Sequence, residues 1–224
     1  MKTLGLVLAV ATVLPVRAMV FDFDSGAQGW TGADNDGQSP FGTGGVALSV
    51  DYQSSGGNPG GHISITDPSN LDFYFVAPAN VLGNQSSAYG TTLSWELKVT
   101  GNTYDPVPDV VLRGAGLELV LDVGPAPTPD LWLGYSVVLN ETGGWRKGTL
   151  SGATPTASEF QAVLADLTGL RIRGEYFAGG LGSEVGSLDN VNFAAVPEPA
   201  EVLGWSAGLC LAGAFWFRRS RFVR

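Results

Sequence analysis

The chain has 224 residues with a formal charge of −9, and both of its ends are apolar, so one folded domain is expected between two terminal segments. Six of the twelve basic residues but only two of the twenty-one acidic residues lie in those segments, which leaves a charge of −13 for residues 20–195. Such a charge argues against nucleic acid or an anionic membrane surface as a partner of the domain, because binding either one needs Lys and Arg to neutralise phosphates.

The first eighteen residues have the pattern of a secretory signal peptide. Lys2 precedes an apolar run from Leu4 to Leu14, and Val16 and Ala18 stand three and one residues before the expected cleavage site. The alternative is a buried N-terminal strand or helix. We predict an exported protein with a signal peptide at residues 1–18 and a folded domain at residues 19–195.

Alternating apolar residues predict about ten β-strands in this domain. In the runs 46–52, 93–99 and 117–123 every second residue is apolar, as in a strand with one buried face. Further strands are predicted at residues 20–24, 62–66, 71–76, 110–113, 132–139, 170–177 and 187–193. Short strands separated by Gly, Pro, Asn and Asp are typical of an all-β sandwich of two sheets.

One short helix is predicted among the strands. Thr156 and Glu159 match a capping box, and Phe160, Val163, Leu164 and Leu167 follow at helical spacing. Gly169 is placed to end this helix, which is expected to lie against the sandwich.

Catalysis by a nucleophile or by zinc finds little support. His62 is the sole histidine, and it follows Gly60 and Gly61, so we predict a surface turn residue. Cys210, the sole cysteine, lies in the C-terminal segment, and no Gly-x-Ser-x-Gly elbow is present. The domain therefore lacks the residues of a catalytic triad and the His and Cys ligands of a zinc site.

Paired carboxylates of a glycosidase are the alternative from another functional class. Glu96, Glu118, Glu141 and Glu175 are the candidates. Glu96 and Glu118 alternate with apolar neighbours, so a solvated polar strand face explains both more simply.

Aromatic side chains are candidate platforms for sugar rings. The candidates are Trp30, Tyr52, Tyr104, Trp132, Tyr135 and Trp145. Trp30 and Trp95 fall within apolar patterns and are predicted to lie in the core. Because the domain is acidic, neutral sugars are favoured over anionic polymers as ligands.

A set of motifs in constant order across residues 21–193 resembles the laminin IV type A domain, also called laminin B. The most distinctive stretch is Val81 to Gly90, with the sequence VLGNQSSAYG. The others are FDS at 23–25, GWT at 29–31, GNPGG at 57–61, YFVAP at 74–78, DVVLRG at 109–114, LNE at 139–141, Trp145 and LRIRGEY at 170–176. This domain is known from laminin chains and perlecan and from some bacterial exported proteins. The resemblance implies a jelly-roll sandwich, like that of carbohydrate-binding modules, without enzyme activity.

A structural calcium ion is a further hypothesis for this fold. Asp22 and Asp24 open the first predicted strand, and Asp189 lies in the last one, which a jelly roll commonly places nearby. Carboxylate oxygens are the ligands that Ca²⁺ takes, and galactose-binding-like modules, which resemble this architecture, often hold such an ion. Ordinary acidic strand ends remain the alternative.

The C-terminal segment, residues 196–224, resembles a PEP-CTERM sorting tail. Val196, Pro197, Glu198 and Pro199 precede an apolar run at 202–217 that is just long enough to span a membrane as a helix. Arg218 and Arg219, followed by two more arginines, would hold the end in the cytoplasm. The resemblance implies an exosortase-type protease as partner, with the chain anchored in the inner membrane by a transmembrane-type helix or released to the cell surface or matrix.

The sequence therefore predicts a non-catalytic exported surface or matrix module that binds a polysaccharide or another surface protein.

Overall fold

In the computed structural model, the described residues are 18–34, 46–69, 71–101, 107–177, 182 and 184–193. Most of the expected signal peptide, the whole sorting tail with its expected membrane helix, and Tyr104 lie outside the described residues. Within the described part of the chain, no helix is long and apolar enough to cross a membrane.

The described elements are short strands and one α-helix. The strands are β1 Met19–Phe21, β2 Thr31–Asp34, β3 Val46–Leu48, β4 Asp51–Gln53, β5 His62–Thr66, β6 Phe73–Val76, β7 Thr92–Val99, β8 Val110–Gly114, β9 Leu117–Leu121, β10 Leu133–Val138, β11 Arg146–Lys147, β12 Leu167–Arg173 and β13 Val185–Phe193. The helix α1 spans Ala157–Ala165, and single 3₁₀ turns occupy Ala79–Val81 and Ser86–Ala88.

The strands form two antiparallel sheets. Sheet A has the order β10-β7-β13-β5-β4, with β1 paired to β13, and sheet B has the order β11-β9-β8-β12-β6-β2-β3. The first and last strands are neighbours, since Met19 lies opposite Phe193. The predicted all-β sandwich with one helix is confirmed.

Three buried indoles mark the core between the sheets. Trp95 stacks on Tyr135 with ring centroids 5.5 Å apart, and Trp30 meets the edge of Phe21 at the same distance. Trp145 lies 5.6 Å from Phe160, through which α1 docks on the sandwich. Burying each such side chain stabilises the fold by roughly 1.5–3 kcal/mol.

The predicted capping box is present, but the helix is shorter than predicted. The Thr156 Oγ1 accepts the Glu159 N–H, and the Glu159 carboxylate accepts the Thr156 N–H. The helix ends at Ala165, and Leu167 already opens β12, so Gly169 does not end it. Leu167 belongs to the strand because it pairs with Gly114 of β8.

Two strands were not predicted, and one predicted strand is divided between the sheets. The run 46–52 contains β3 of sheet B and β4 of sheet A, so the chain changes sheet at residues 49–50. The short strands β2 and β11 carry too few apolar residues in alternation to be detected.

Two predictions of surface exposure are wrong. His62 is the first residue of β5 and is only 7% exposed, because it packs against the Trp132 ring. Glu118 is 8% exposed and lies 3.5 Å from the Arg113 guanidinium, so its face of β9 is covered and not solvated.

Two aspartates hold a glycine-rich loop against sheet A. The Asp24 Oδ1 accepts the Gly61 N–H at 3.0 Å, and the Asp189 Oδ2 accepts the Asn58 N–H at 2.7 Å. Asp189 is fully buried as a result. We call residues 57–61, held by Asp24 and Asp189, the clamped loop.

The glycines of the clamped loop are required by this close approach. A Cβ on Gly57 would collide with Gly61 and Asp189, and a Cβ on Gly60 would collide with the Asp24 carboxylate. Gly60 also has φ +90°, in the left-handed region that favours glycine. The glycines of the sequence GNPGG are therefore required for the loop to pack against sheet A.

We expect Gly60→Ala to lower the free energy of unfolding by at least about 2 kcal/mol, since it adds a clash to the left-handed backbone cost. Gly116→Ala is the matched control, because Gly116 has φ +73° but open space around its Cβ position; it should lose only about 1 kcal/mol. Urea unfolding monitored by tryptophan fluorescence measures both. If both variants lose the same free energy of unfolding, the loop can shift to accommodate the added Cβ and is not held rigidly.

Buried acidic side chains gather at one end of the sandwich, close to Arg173. They are Asp34, Asp67, Asp72, Asp109, Glu175 and Glu184, and all but the half-buried Asp72 are buried. The Arg173 Nη2 lies 3.0 Å from the Asp72 Oδ1, and the Glu184 carboxylate accepts the Tyr176 and Phe177 N–H groups. Burial, together with the charges of Asp67, Asp72 and Glu184, raises the pKa of Glu175 to about 8.

A raised carboxyl pKa makes stability fall as pH rises. The folded chain keeps the Glu175 proton up to about pH 8, whereas the unfolded chain releases it near pH 4.5. The free energy of unfolding should therefore fall between these two pH values. Glu175→Gln cannot ionise, so we expect it to be more stable than the wild type at pH 8 by about 2–4 kcal/mol.

Urea unfolding at half-unit steps from pH 5 to pH 8.5 checks this expectation. Glu118→Gln is the control, since it removes a buried carboxylate that lies beside Arg113, away from this end. If Glu175→Gln and the wild type give parallel pH profiles, Glu175 is ionised in the folded chain and the expectation is wrong.

Candidate functional site

The outer face of sheet A, which points away from the core, is predominantly polar. On β7 it carries Thr92, Ser94, Glu96 and Lys98, each half-buried, between the core residues of that strand. On β13, Asp189 lies opposite Glu96, and Asn192 lies opposite Ser94. On the other side of β7, Gly134 and Ser136 of β10 face the same two residues.

Glu96 is the centre of a hydrogen-bond network on this face. Its Oε1 accepts the Asn58 Nδ2–H at 3.1 Å, and its Oε2 accepts the Asn190 Nδ2–H at 2.8 Å. The Asn190 amide also donates to the Asn58 carbonyl at 2.7 Å. The network therefore links the clamped loop, β7 and β13.

A bulge in β13 turns Asn190 outward. The register of β13 with β7 shifts between Asp189 and Asn192, and Asn190 has φ 48°. Asparagine tolerates this left-handed conformation better than most residues. Bulges of this kind often redirect a side chain next to a functional site.

Beside this network lies an open groove of about 370 Å³. Its lining residues are Val20, Ser94, Trp95, Glu96, Gly134, Tyr135, Asn190 and Asn192, of which Trp95 and Tyr135 are buried core residues. The groove thus offers hydroxyl, amide and carboxylate groups, with one exposed apolar residue, Val20, at β1. Such a set can exchange hydrogen bonds with an uncharged polar ligand.

Trp132 lies on the same face just before β10, but its ring is partly occupied. The Lys98 ammonium stands 4.8 Å from the ring centroid, and the indole N–H donates to the Gly56 carbonyl at 3.1 Å. Burial and the positive charge of Lys98 lower the pKa of the neighbouring His62 imidazole. Trp132 thus fastens the chain at Gly56, next to the clamped loop, and its ring already contacts Lys98 and His62.

The other predicted sugar platforms are packing residues or lie elsewhere. Trp30 is in the core as predicted, and so are Tyr135 and Trp145, which were candidates for binding. Tyr52 in β4 is 39% exposed and donates its hydroxyl to the Asp24 carbonyl. The structure therefore favours hydrogen bonding over ring stacking as the means of recognition.

The four candidate glycosidase carboxylates are dispersed. Glu96 lies on sheet A and Glu118 on sheet B, Glu141 accepts the Tyr89 hydroxyl, and Glu175 is buried against the Phe73 N–H. Asp189 is the carboxylate opposite Glu96, but it is fully buried under the clamped loop. Burial raises the pKa of Asp189, and the charges of Glu96 and Asp24 add to this effect.

The aspartates of the calcium hypothesis are only partly brought together. Asp24 and Asp189 hold the same loop, whereas Asp22 is exposed and accepts the Gln28 amide at 2.8 Å. Among the described residues, no three His, Cys, Asp or Glu side chains are placed to hold a metal ion. Calcium binding therefore stays a prediction from sequence.

Most residues of the groove and its network were not predicted to be functional, among them Asn58, Ser94, Gly134 and Asn192. Asn190 drew attention only as the neighbour of Asp189 in the calcium hypothesis. The sequence around Asn58 predicts only a turn, because the role of Asn58 depends on where the loop packs in the folded domain.

Comparison with known proteins identifies relatives of this domain. The family "Laminin B (Domain IV)" matches residues 74–201. The chain is similar to laminin subunit gamma-1 of Xenopus tropicalis, with 31% identity over 72% of this chain and 9% of the relative. It is also similar to human laminin subunit gamma-2, with 38% identity over 53% of this chain and 10% of the relative. The chain thus spans about a tenth of the curated relatives that it matches.

A solved structure shows the same fold. The L4b domain of human laminin alpha-2 superposes with a TM-score of 0.58 at 15% identity, covering 80% of this chain and 98% of that domain. The two-sheet sandwich and the order of the sequence motifs agree with the family match. That match covers more than half of the chain. The chain belongs to the laminin B (domain IV) family.

Proposed function

We propose that this protein is an exported, non-catalytic module of the cell surface or extracellular matrix that binds a neutral polysaccharide through the outer face of sheet A. The observation that carries the proposal is the groove at Glu96, whose lining combines amide and hydroxyl groups with the Glu96 carboxylate. Membership of the laminin B family and the expected signal peptide support export.

The charge of the domain favours an uncharged ligand. Residues 20–195 carry a formal charge of −13, and the Glu96 carboxylate lies in the groove. A uronic or sulfated chain would be repelled, whereas sugar hydroxyls can donate to Glu96 and exchange hydrogen bonds with the asparagine amides. A surface protein is the other partner class, and its binding would not require this groove.

The dispersed carboxylates favour binding over hydrolysis. A retaining or inverting glycosidase needs two carboxyl groups about 5–9.5 Å apart across a cleft that the substrate can enter. Glu96 has Asp189 opposite, but a substrate cannot reach a fully buried carboxylate. The groove is therefore better suited to hold a glycan than to cleave one.

We expect the full chain, purified in detergent, to be retained by immobilised neutral glycans such as β-glucan, xylan or mannan and not by polygalacturonate. Retention should be unchanged between roughly 0.01 and 0.15 M salt, because an uncharged ligand gives no ionic attraction to screen. The bound glycan should be recovered at its original length. Shortened products would indicate the glycosidase alternative, and retention by polygalacturonate alone would contradict the proposal.

We also propose that residues 196–224 are a sorting tail processed by an exosortase-type protease. The support is the order of Pro197, Glu198 and Pro199, the apolar run at 202–217 and the arginines that begin at Arg218. The tail would hold the chain in the inner membrane until it is cut.

In a host that has an exosortase, mass spectrometry of the exported protein should show loss of the segment from about residue 202 onward. In a matched host without the protease, the chain should keep its C-terminal Arg224 and stay with the membrane. Intact protein from both hosts would reject processing and leave simple anchoring.

A further inference from the structure

Gly134 occupies a strand position that does not require glycine. It lies within β10, whose pairing with β7 runs from Leu133 to Val138 without a register shift. Its backbone is not in the left-handed region, and a Cβ added to it would meet no atom within 4 Å. Glycine weakens a strand, so a glycine that is not forced by the fold calls for another reason.

Other strand glycines in the described residues have evident structural reasons. A Cβ on Gly32 would collide with Ile65, one on Gly114 with the Val163 carbonyl, and one on Gly186 with the Gly174 carbonyl. Gly134 differs from these three because it faces open space. A fourth, Gly169, would meet only ordinary contacts and adjoins a register shift in β12, whereas β10 has no such shift. Close approach of a ligand is a further reason for glycine in a strand, and it fits the open space at Gly134.

The position of Gly134 explains the shape of the groove. Its cross-strand neighbour is Glu96, and both line the groove together with Ser94 and Asn192. A side chain at residue 134 would stand directly beside the Glu96 carboxylate, since opposite residues in a ladder have Cβ atoms about 5 Å apart. The missing side chain keeps one side of this carboxylate open.

We propose that Gly134 is a specificity-determining residue that admits an uncharged glycan chain against the backbone of β10, with sugar hydroxyls donating to Glu96. Each Glu96 oxygen already accepts one amide hydrogen, and a carboxylate oxygen has a second lone pair available. The amide bonds fix the carboxylate, so it is oriented before the ligand arrives. This inference rests on the proposed function and names its point of contact.

The test compares Gly134→Val with Ser136→Val in the full chain. Ser136 is exposed on the same face of β10, two residues further along, and is not among the groove residues. Binding of neutral β-glucan, xylan and mannan hexasaccharides is measured by calorimetry, with hexagalacturonate as the charged counterpart. We expect Gly134→Val to weaken binding at least tenfold and Ser136→Val to change it less than twofold.

Thermal unfolding of the same variants separates binding from folding. Valine favours strands, so the unfolding midpoint of Gly134→Val should equal or exceed that of the wild type. A clearly lower midpoint would assign Gly134 a structural role and overturn the inference.

The remaining outcomes distinguish this inference from the proposed function. If the wild type binds a neutral hexasaccharide and Gly134→Val binds it equally well, the contact at Gly134 is wrong while the proposed function stands. Equal loss in both variants would also overturn the role of Gly134. If the wild type binds none of the neutral hexasaccharides, the proposed function fails, and this inference fails with it.

Discussion

The outer face of sheet A depends on one buried carboxylate, that of Asp189. It accepts the backbone N–H of Asn58 from the clamped loop and that of Asn190 from its own strand. A buried carboxylate is costly unless hydrogen bonds compensate it, so the loop and the bulge stabilise Asp189 while Asp189 holds both in place. The amide groups that surround Glu96 are positioned by this single arrangement.

The two sheets present very different outer faces. On sheet B, the outward residues Tyr74, Val111 and Val120 are buried in a second small apolar cluster against Leu150. The charged residues beside them form internal pairs, such as Arg113 with Glu118. On sheet A, the outward polar groups of β7 border an open groove. The chemistry available for a ligand is thus concentrated on one side of the sandwich.

The buried acidic side chains at one end of the domain impose a second constraint on the fold, because their charge must be neutralised or compensated. Asp67, Glu175 and Glu184 are all buried there. Burial and the charges of Asp67, Asp72 and Glu184 raise the pKa of Glu175, and burial with the charge of Asp67 raises the pKa of Glu184 to about 7. Backbone N–H groups of Phe73 and Tyr176 partly compensate this charge. The groove is lined by other residues, so its chemistry can be studied apart from the proton uptake of this end.

Much of the fold could be predicted from local patterns, because a strand with one buried face imposes strict alternation on its residues. Leu93, Trp95, Leu97 and Val99 gave the position and inward face of β7, and the Thr156–Glu159 pair gave the start of α1. The order of motifs around Val81–Gly90 predicted the family, which the family comparison confirms over residues 74–201.

Long-range packing decided the rest. Alternation cannot tell which sheet a strand joins, and so it predicts a single strand at 46–52 although β3 and β4 belong to different sheets. Alternation also cannot tell whether the polar face of a strand is covered, which is why the sequence predicts Glu118 at the surface. The sequence predicts His62 in a surface turn because the contact with the distant Trp132 ring is not visible in it.

The sequence by itself determined most of the strands, the acidic charge and the family, since each follows from the types and order of nearby residues. Only the tertiary structure decided the site. Asn58, Glu96, Gly134 and Asn190 come from four distant parts of the chain, and they meet because β10, β7 and β13 are adjacent while Asp189 holds the loop over them.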